Sequence, residues 1–320
     1  MLRFLLLLAL LALLALPGSA NPASKQIIKG TDTFLFTYSA EIPTIESSGR
    51  IWLPIASSDS NQKVELLRTT AHKPTREVKD TTHGNRILVM DLTPEDSGKN
   101  ISLLYKVTRH ENTGHPAPEN ENTKPFLKAD SLVPLTPELR AIALEQTANA
   151  ATAAEKANAL YLHTFSRMTY DKSGIGWGRG DALHACDSRT GNCTDFHAYF
   201  IALARSIGIP ARFAIGFTIP ADTDSGTISG YHCWAEYLAD GRWHPVDISE
   251  ADKHPDLVDY YASNHPANRF QLSKGRDLTP APLPDSGPIN FLVYPLVESD
   301  GKLIDAGRTF SFERIHQSTP

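Results

Sequence analysis

Three side chains in this sequence are of the types that together move an acyl group. Cys193, His232 and Asp247 supply, in that order, a thiol, an imidazole and a carboxylate. A thiol nucleophile needs a base to take its proton, and the base needs a carboxylate to fix its tautomer and stabilise the imidazolium. Cys193 lies in the stretch GNCTDFHAYFIALARSIGIPARF, where Phe196, Phe200, Leu203, Ala204 and Ile207 recur at helical spacing before Gly208 and Pro210 end the run. The cysteine therefore stands at a helix N-terminus, where unpaired N–H groups favour a thiolate and offer donors to an oxyanion. The helix alone is equally compatible with a buried or disulfide-bonded cysteine.

Two further segments weigh on that choice. GYHCWAEYL, from Gly230, and RWHPVDI, from Arg242, read as strands joined by the turn signal Asp240-Gly241. With a two-residue loop Ala239 faces Arg242, so Trp234 lies opposite Asp247 and His232 opposite Ser249. His232 and Asp247 are then diagonal neighbours on one face, about 7–8 Å apart at the backbone and within side-chain reach. A three-residue loop would turn Asp247 to the other face, because a slip of one residue flips every side chain. His197, one helical turn after Cys193, is a rival base, but a side chain on the nucleophile's own helix cannot easily straddle a carbonyl with the thiol. Asp195 reads as a first-turn carboxylate favoured by the helix dipole. Tyr231 and Trp234 are expected to wall the cleft.

The text ACDSRTGNCTDFHAYFIALARSIGIPARF, then GYHCWAEYL, then WHPVDISEA resembles the transglutaminase-like superfamily, with the closest likeness to secreted, mostly bacterial members. The resemblance covers roughly residues 160 to 255 and implies an α+β, papain/transglutaminase-like catalytic domain. By it Cys193 is the nucleophile, His232 the base and Asp247 its orienter. Some members of the superfamily use an indole N–H upstream of the cysteine as a second oxyanion donor. Trp177 is the tryptophan placed for that role, with a loop aromatic covering the cleft as the plainer alternative. The implied reaction is hydrolysis of peptide or side-chain amide bonds through a thioester. Cross-linking to an amine and a non-catalytic peptide- or glycan-binding module on the same fold are the alternatives.

The remaining sequence must position these groups. Residues 1–20 read as a secretory signal, with Arg3 before an apolar run and Gly18-Ser19-Ala20 as the cleavage site. An exported, periplasmic or extracellular protein without stable membrane insertion is expected. From residue 21 to 110, TFLFTYSAEI, GRIWLPIA, QKVELLRTT, NRILVMDL and KNISLLYKVTRH alternate with period two, as in a small antiparallel β-sandwich. Residues 111–135 are Pro-, Asn- and Glu-rich and read as a linker, whose Phe126, Leu127, Leu132 and Val133 dock on a domain. The catalytic domain is expected over 136–320, entered by a helix capped at Thr136-Pro137, with a second helix to about Met168. Its last hairpin, turning at Ser299-Asp300-Gly301, is expected to extend the sheet behind the His232 strand.

Composition narrows the partners. The net charge of −5 gives no general attraction to nucleic acid, so a peptide or protein substrate is expected. The three cysteines, Cys186, Cys193 and Cys233, allow one bridge if Cys193 stays free, Cys186–Cys233, with free thiols as the default. They lack a close Cys pair, and His184, His197 and His244 show no ligand spacing, so no metal or other cofactor is expected. Arg179-Gly180-Asp181 spells an adhesion tripeptide, a match that arises readily by chance.

Overall fold

The computed structural model describes residues 27–316. The expected signal segment 1–20 lies outside them. No described helix is long and apolar enough to cross a membrane.

The alternating N-terminal runs form β1 (Thr31–Glu41), β2 (Gly49–Ile55), β3 (Gln62–Thr70), β4 (Arg76–Lys79), β5 (Arg86–Leu92) and β6 (Asn100–His110). Along β1 the period of two is strict: Phe34, Phe36, Tyr38 and Ala40 are buried and the residues between them are not. β4 is too short and polar to have stood out in the sequence. The Pro- and Asn-rich stretch then supplies β7 (His115–Pro116) and buries Phe126 edge-on against Trp243, ring centroids 5.2 Å apart. It is a docked strap and not a free tether.

Helices α1 (Pro137–Gln146) and α2 (Ala153–Arg167) follow, each started by a threonine whose hydroxyl accepts a backbone N–H of the first turn. A short pair, β8 (Thr169–Tyr170) and β9 (Thr190–Gly191), brackets α3 (Ala182–Ser188) and leads into α4 (Cys193–Ser206). Every residue of α4 is buried, so this helix is the centre of its domain. Beyond it run β10 (Ala211–Thr218), β11 (Ser225–Ile228), β12 (His232–Ala239), β13 (Arg242–Val246), α5 (Ile248–Lys253), α6 (Val258–Tyr261) and β14 (Arg269–Lys274). The chain ends in β15 (Leu296–Ser299), β16 (Lys302–Ile304) and β17 (Gly307–Arg314).

These strands build three five-stranded sheets, in the orders β11-β17-β1-β6-β3, β16-β15-β2-β5-β4 and β14-β10-β12-β13-β7. The third lies against α4 and carries His232. The other two form the sandwich, and here one expectation fails. The hairpin β15–β16 does not extend the His232 sheet; β15 pairs with β2, and β17 pairs with β1 along eight positions from Phe34 to Glu41. The alternating pattern of residues 296–314 specifies strands but carries no information on which edge they complete. The buried edge of β1, lined by Phe36 and Tyr38, takes Phe310 and Phe312 as its partners.

Aromatic rings weld the sandwich to the sheet that carries His232. Phe36 of β1 lies 5.1 Å from Phe217 of β10 and 4.8 Å from Phe270 of β14, and Phe217 lies 4.5 Å from Phe310 of β17. Each such pair contributes about 0.5–1.5 kcal/mol beyond its area burial.

Candidate active site

Asn192 caps α4, its Oδ1 accepting the Thr194 N–H at 2.9 Å and the Thr194 hydroxyl at 2.6 Å. Cys193 is thus the first helical residue, 2% exposed, and its backbone N–H donates to nothing among the described residues. Asp195 completes the helix start and does more than favour the dipole. Its carboxylate accepts the N–H groups of Gly178 (2.7 Å), Gly180 (2.9 Å) and Asn192 (2.9 Å). The glycine loop is thereby stapled to the nucleophile helix, and Arg276, fully buried, grips its far side by donating to the carbonyls of Gly180 and Arg179.

The hairpin has the two-residue loop read from the sequence. Asp240 and Gly241 both have positive φ (50° and 70°), Ala239 faces Arg242 and Ala235 faces Val246. β13 ends at Val246, and Asp247 caps α5 through Oδ1, which accepts the Glu250 N–H at 3.2 Å. Its Oδ2 lies 2.6 Å from His232 Nε2, with both side chains buried. Opposite His232 on β10 stands Gly216, where a Cβ would fall 1.8 Å from the Phe270 carbonyl oxygen, so a glycine is required for β14 to close on this edge.

Because Asp247 holds Nε2, Nδ1 of His232 is the nitrogen left for the thiol. Burial opposes protonation of His232, but the Asp247 charge and hydrogen bond outweigh it and lift the imidazole to about 9. Burial likewise opposes ionisation of Cys193, and the hydrogen bonds from Cys233 and His232 with the imidazolium charge overcome it, holding the thiol well below its ordinary range. Asp247 is held low against its burial by the same imidazolium. Each of the three groups thus favours the charged form of the next.

His197 is not a competing base. Its Nδ1–H donates to the Cys193 carbonyl at 2.7 Å and its Nε2 accepts the Ile248 N–H at 3.1 Å, so both ring nitrogens are spent on backbone. It ties the nucleophile helix to the residue after Asp247. His265, which the sequence reading did not single out, lies 3.4 Å from Asp247 Oδ2, and burial pushes it down to about 3, so it is a neutral wall. His232, Asp247 and His265 offer ligand atoms within 4.8 Å of one another. The 2.6 Å His232–Asp247 contact is a hydrogen bond that spends the facing atoms of that pair.

The other expected residues separate. Tyr231 reaches the helix start, its Oη accepting Asn192 Nδ2–H at 3.0 Å. Trp234 does not wall the cleft. It is wholly buried against His265, centroids 4.3 Å apart, because two residues further along β12 the face already lies beneath the site. Trp177 is 38% exposed with the Lys172 ammonium 5.8 Å from its ring, and the neighbouring glycine backbone is what touches α4. The cysteines are unbridged, with Cys233 Sγ 3.7 Å from His197 Nδ1. In Arg179-Gly180-Asp181 the glycine is buried and Asp181 caps α3, so the tripeptide serves the loop.

Further along the chain, Asn268-Arg269 and Gly275-Arg276-Asp277 supply two buried arginines. Arg269 is fully buried and pairs with Glu250 at 3.1 Å, beside Asp247. Asn268 Oδ1 accepts the Ile28 N–H at 3.0 Å. Arg269 opens β14 and Arg276 follows its end, and an arginine gives no local sign that it will be buried.

Residues 140–248 match the transglutaminase-like superfamily core. An uncharacterized protein of Haemophilus influenzae is 32% identical over 180 residues, 46% of this chain and 49% of that protein, so the match spans about half of the curated relative. The crystal structure of a cysteine protease candidate from Cytophaga hutchinsonii shares the fold, with a TM-score of 0.60 at 16% identity over 91% of this chain and 93% of that one. The periplasmic domain of TgpA from Pseudomonas aeruginosa matches with a TM-score of 0.33 at 16% identity, over 76% and 88% of the two chains.

Proposed function

With residues 140–248 a transglutaminase-like core, we infer that the protein is a cysteine-nucleophile acyl-transfer enzyme that hydrolyses amide bonds of a peptide or protein through a thioester. The observation that carries this reading is the buried Cys193 at the start of α4 together with a His232 whose Nε2 is fixed by Asp247 at 2.6 Å and which draws the thiol below its ordinary range.

The Cys193 sulfur attacks the amide carbonyl carbon, and the carbonyl π pair moves to oxygen. His232 gives its Nδ1 proton to the amine nitrogen as the C–N bond breaks, leaving a thioester and a neutral imidazole. A water then attacks the thioester carbonyl, its proton passing to His232, and the thiolate leaves as the acid forms. Asp247 holds the imidazole in the tautomer that serves both steps. An amine in place of water at the second step would give a cross-link. The reading extends to an exported protein on the strength of the charged and apolar residues 1–20.

The test needs no substrate. Iodoacetamide alkylation of each cysteine is followed by mass spectrometry against pH, in the mature protein and in His232→Ala. An ordinary thiol of pKa about 8.5 is roughly 1% ionised at pH 6.5. A formed thiolate is then roughly 100-fold more abundant, and its lower intrinsic nucleophilicity reduces the advantage to about ten-fold. Cys193 is expected to show that excess, and His232→Ala to abolish it. His232 is raised from 6.5 to about 9, so the charge it contributes is complete below pH 6.5 and lost as pH rises through 9. Turnover should fall through the same window as the proton for the leaving amine disappears. A bridged Cys193, or one that alkylates like a free thiol, sinks the reading. Mass analysis of products with a peptide and an added primary amine separates hydrolysis from cross-linking.

A further inference from the structure

A tetrahedral acyl intermediate needs two donors aimed at its oxyanion. One is the Cys193 backbone N–H, unspent at the first position of α4. We infer that the second is the phenol of Tyr231 and not the indole of Trp177. This rests on the acyl-transfer reading above and adds a residue to it.

Tyr231 Oη is fixed beside the nucleophile by the residue that precedes Cys193. It accepts Asn192 Nδ2–H at 3.0 Å, and Asn192 cannot swing away because its Oδ1 holds the Thr194 N–H and hydroxyl. The ring is fixed from behind as well. Its backbone N–H donates to Tyr294 Oη at 3.1 Å, and it packs on Tyr294 and Phe291 with centroids 5.4 and 5.9 Å away. Oη also hydrogen-bonds with the Thr194 hydroxyl, whose own proton goes to Asn192 Oδ1, so the phenol is a donor seated in the hydrogen-bonded start of α4 and can turn its proton from Thr194 to an oxyanion there. Being adjacent in sequence to His232, it stays in register with the base. Burial raises the phenol well above its ordinary range, so it remains a donor wherever the thiolate–imidazolium pair works. Trp177 has none of this support: its ring is 38% exposed on a loop held by glycine backbone, beside Lys172.

Two reactions of the same thiol isolate the oxyanion donor. Iodoacetamide is displaced at a tetrahedral carbon with loss of iodide and no oxyanion. With p-nitrophenyl acetate, Cys193 sulfur attacks the ester carbonyl, an oxyanion forms and collapses, the C–O bond breaks and p-nitrophenolate leaves with the electron pair. Tyr231→Phe should slow the acylation burst about 100-fold, the loss typical of one oxyanion donor. Its alkylation rate and pH profile should stay within about two-fold of wild type, which also shows that the variant folds. Acylation unchanged in Tyr231→Phe, or acylation and alkylation falling in parallel, overturns the assignment. So does a hundred-fold acylation loss in Trp177→Phe with Tyr231→Phe unaffected; the function reading survives that result. Wild-type Cys193 alkylating like an ordinary thiol would instead remove the function reading and this inference with it.

Discussion

Asp195→Asn tests whether the glycine loop is held in place by the nucleophile helix. Oδ2 of Asp195 takes two amides, Gly178 and Asn192, at 2.7 and 2.9 Å, and Oδ1 takes Gly180 at 2.9 Å. Asparagine keeps the shape and one acceptor. With its oxygen in the Oδ2 place it retains two of these bonds, but its NH2 then meets the Gly180 N–H donor to donor. Gly180 is buried and its N–H has no other hydrogen bond among the described residues, so the cost is that of one orphaned buried donor, about 1–3 kcal/mol. If that loss falls on the loop, its open population rises by roughly 5- to 150-fold. Lys172 and Arg179 are exposed in the loop and make limited trypsinolysis the direct assay, since cleavage tracks the open population when closing is fast. Cleavage after these residues should accelerate by that factor while the rest of the protein keeps its resistance. The thiolate should not suffer, because the Asp195 charge opposes it, so iodoacetamide alkylation at low pH should hold or rise. Cleavage rates within two-fold of wild type would refute the staple, and a global loss of resistance would show that Asp195 supports the whole core instead.

Two further outcomes follow from the packing. His197→Phe leaves the buried Ile248 N–H without its acceptor and cuts the tie between α4 and the Asp247 segment; a loss of about 2–3 kcal/mol is expected in urea unfolding, and less than about 0.5 would contradict that role. Deleting residues 296–320 strips β17 from β1 and β15 from β2, exposing Phe36 and Tyr38 along an unpaired edge. The truncated chain should aggregate or lose cooperative unfolding, and a cooperative, Cys193-reactive truncation would show that the sandwich is dispensable.

How far the sequence discloses this structure depends on whether the cause is local. The strands β1 and β6 repeat every second residue against one buried face, whereas β2 and β5 are buried on both faces, and the start of α1 carries its capping threonine beside it. Those signals lie within a few residues and were legible. The His232–Asp247 pairing was legible for the same reason, since Asp240-Gly241 permits one tight turn and the turn fixes the register. The choice of edge for residues 296–314 was not. Either sheet would accept an alternating strand, and the decision rests on Phe310 meeting rings from β1 and β10 far away in sequence.

The same division runs through the site and explains why its supporting residues were missed. Cys193, His232 and Asp247 announce themselves by residue type, because few other side chains perform their tasks. Asp195, Arg276, Asn192 and Tyr294 do ordinary work with ordinary polar groups, and what gives each its role is the partner opposite it. Arg276 reads as a loop residue until Gly180 and Arg179 turn their carbonyls to it across 96 and 97 residues of chain. Tyr231 reads as a cleft aromatic until Asn192 supplies the hydrogen bond that orients its hydroxyl. Trp234, three residues on in β12, has the more suggestive side chain and lies buried with no partner for its Nε1 among the described residues. The proposed aromatic donor is therefore chosen by what fixes it beside Cys193, and on that count the residue before the base qualifies where the tryptophans do not.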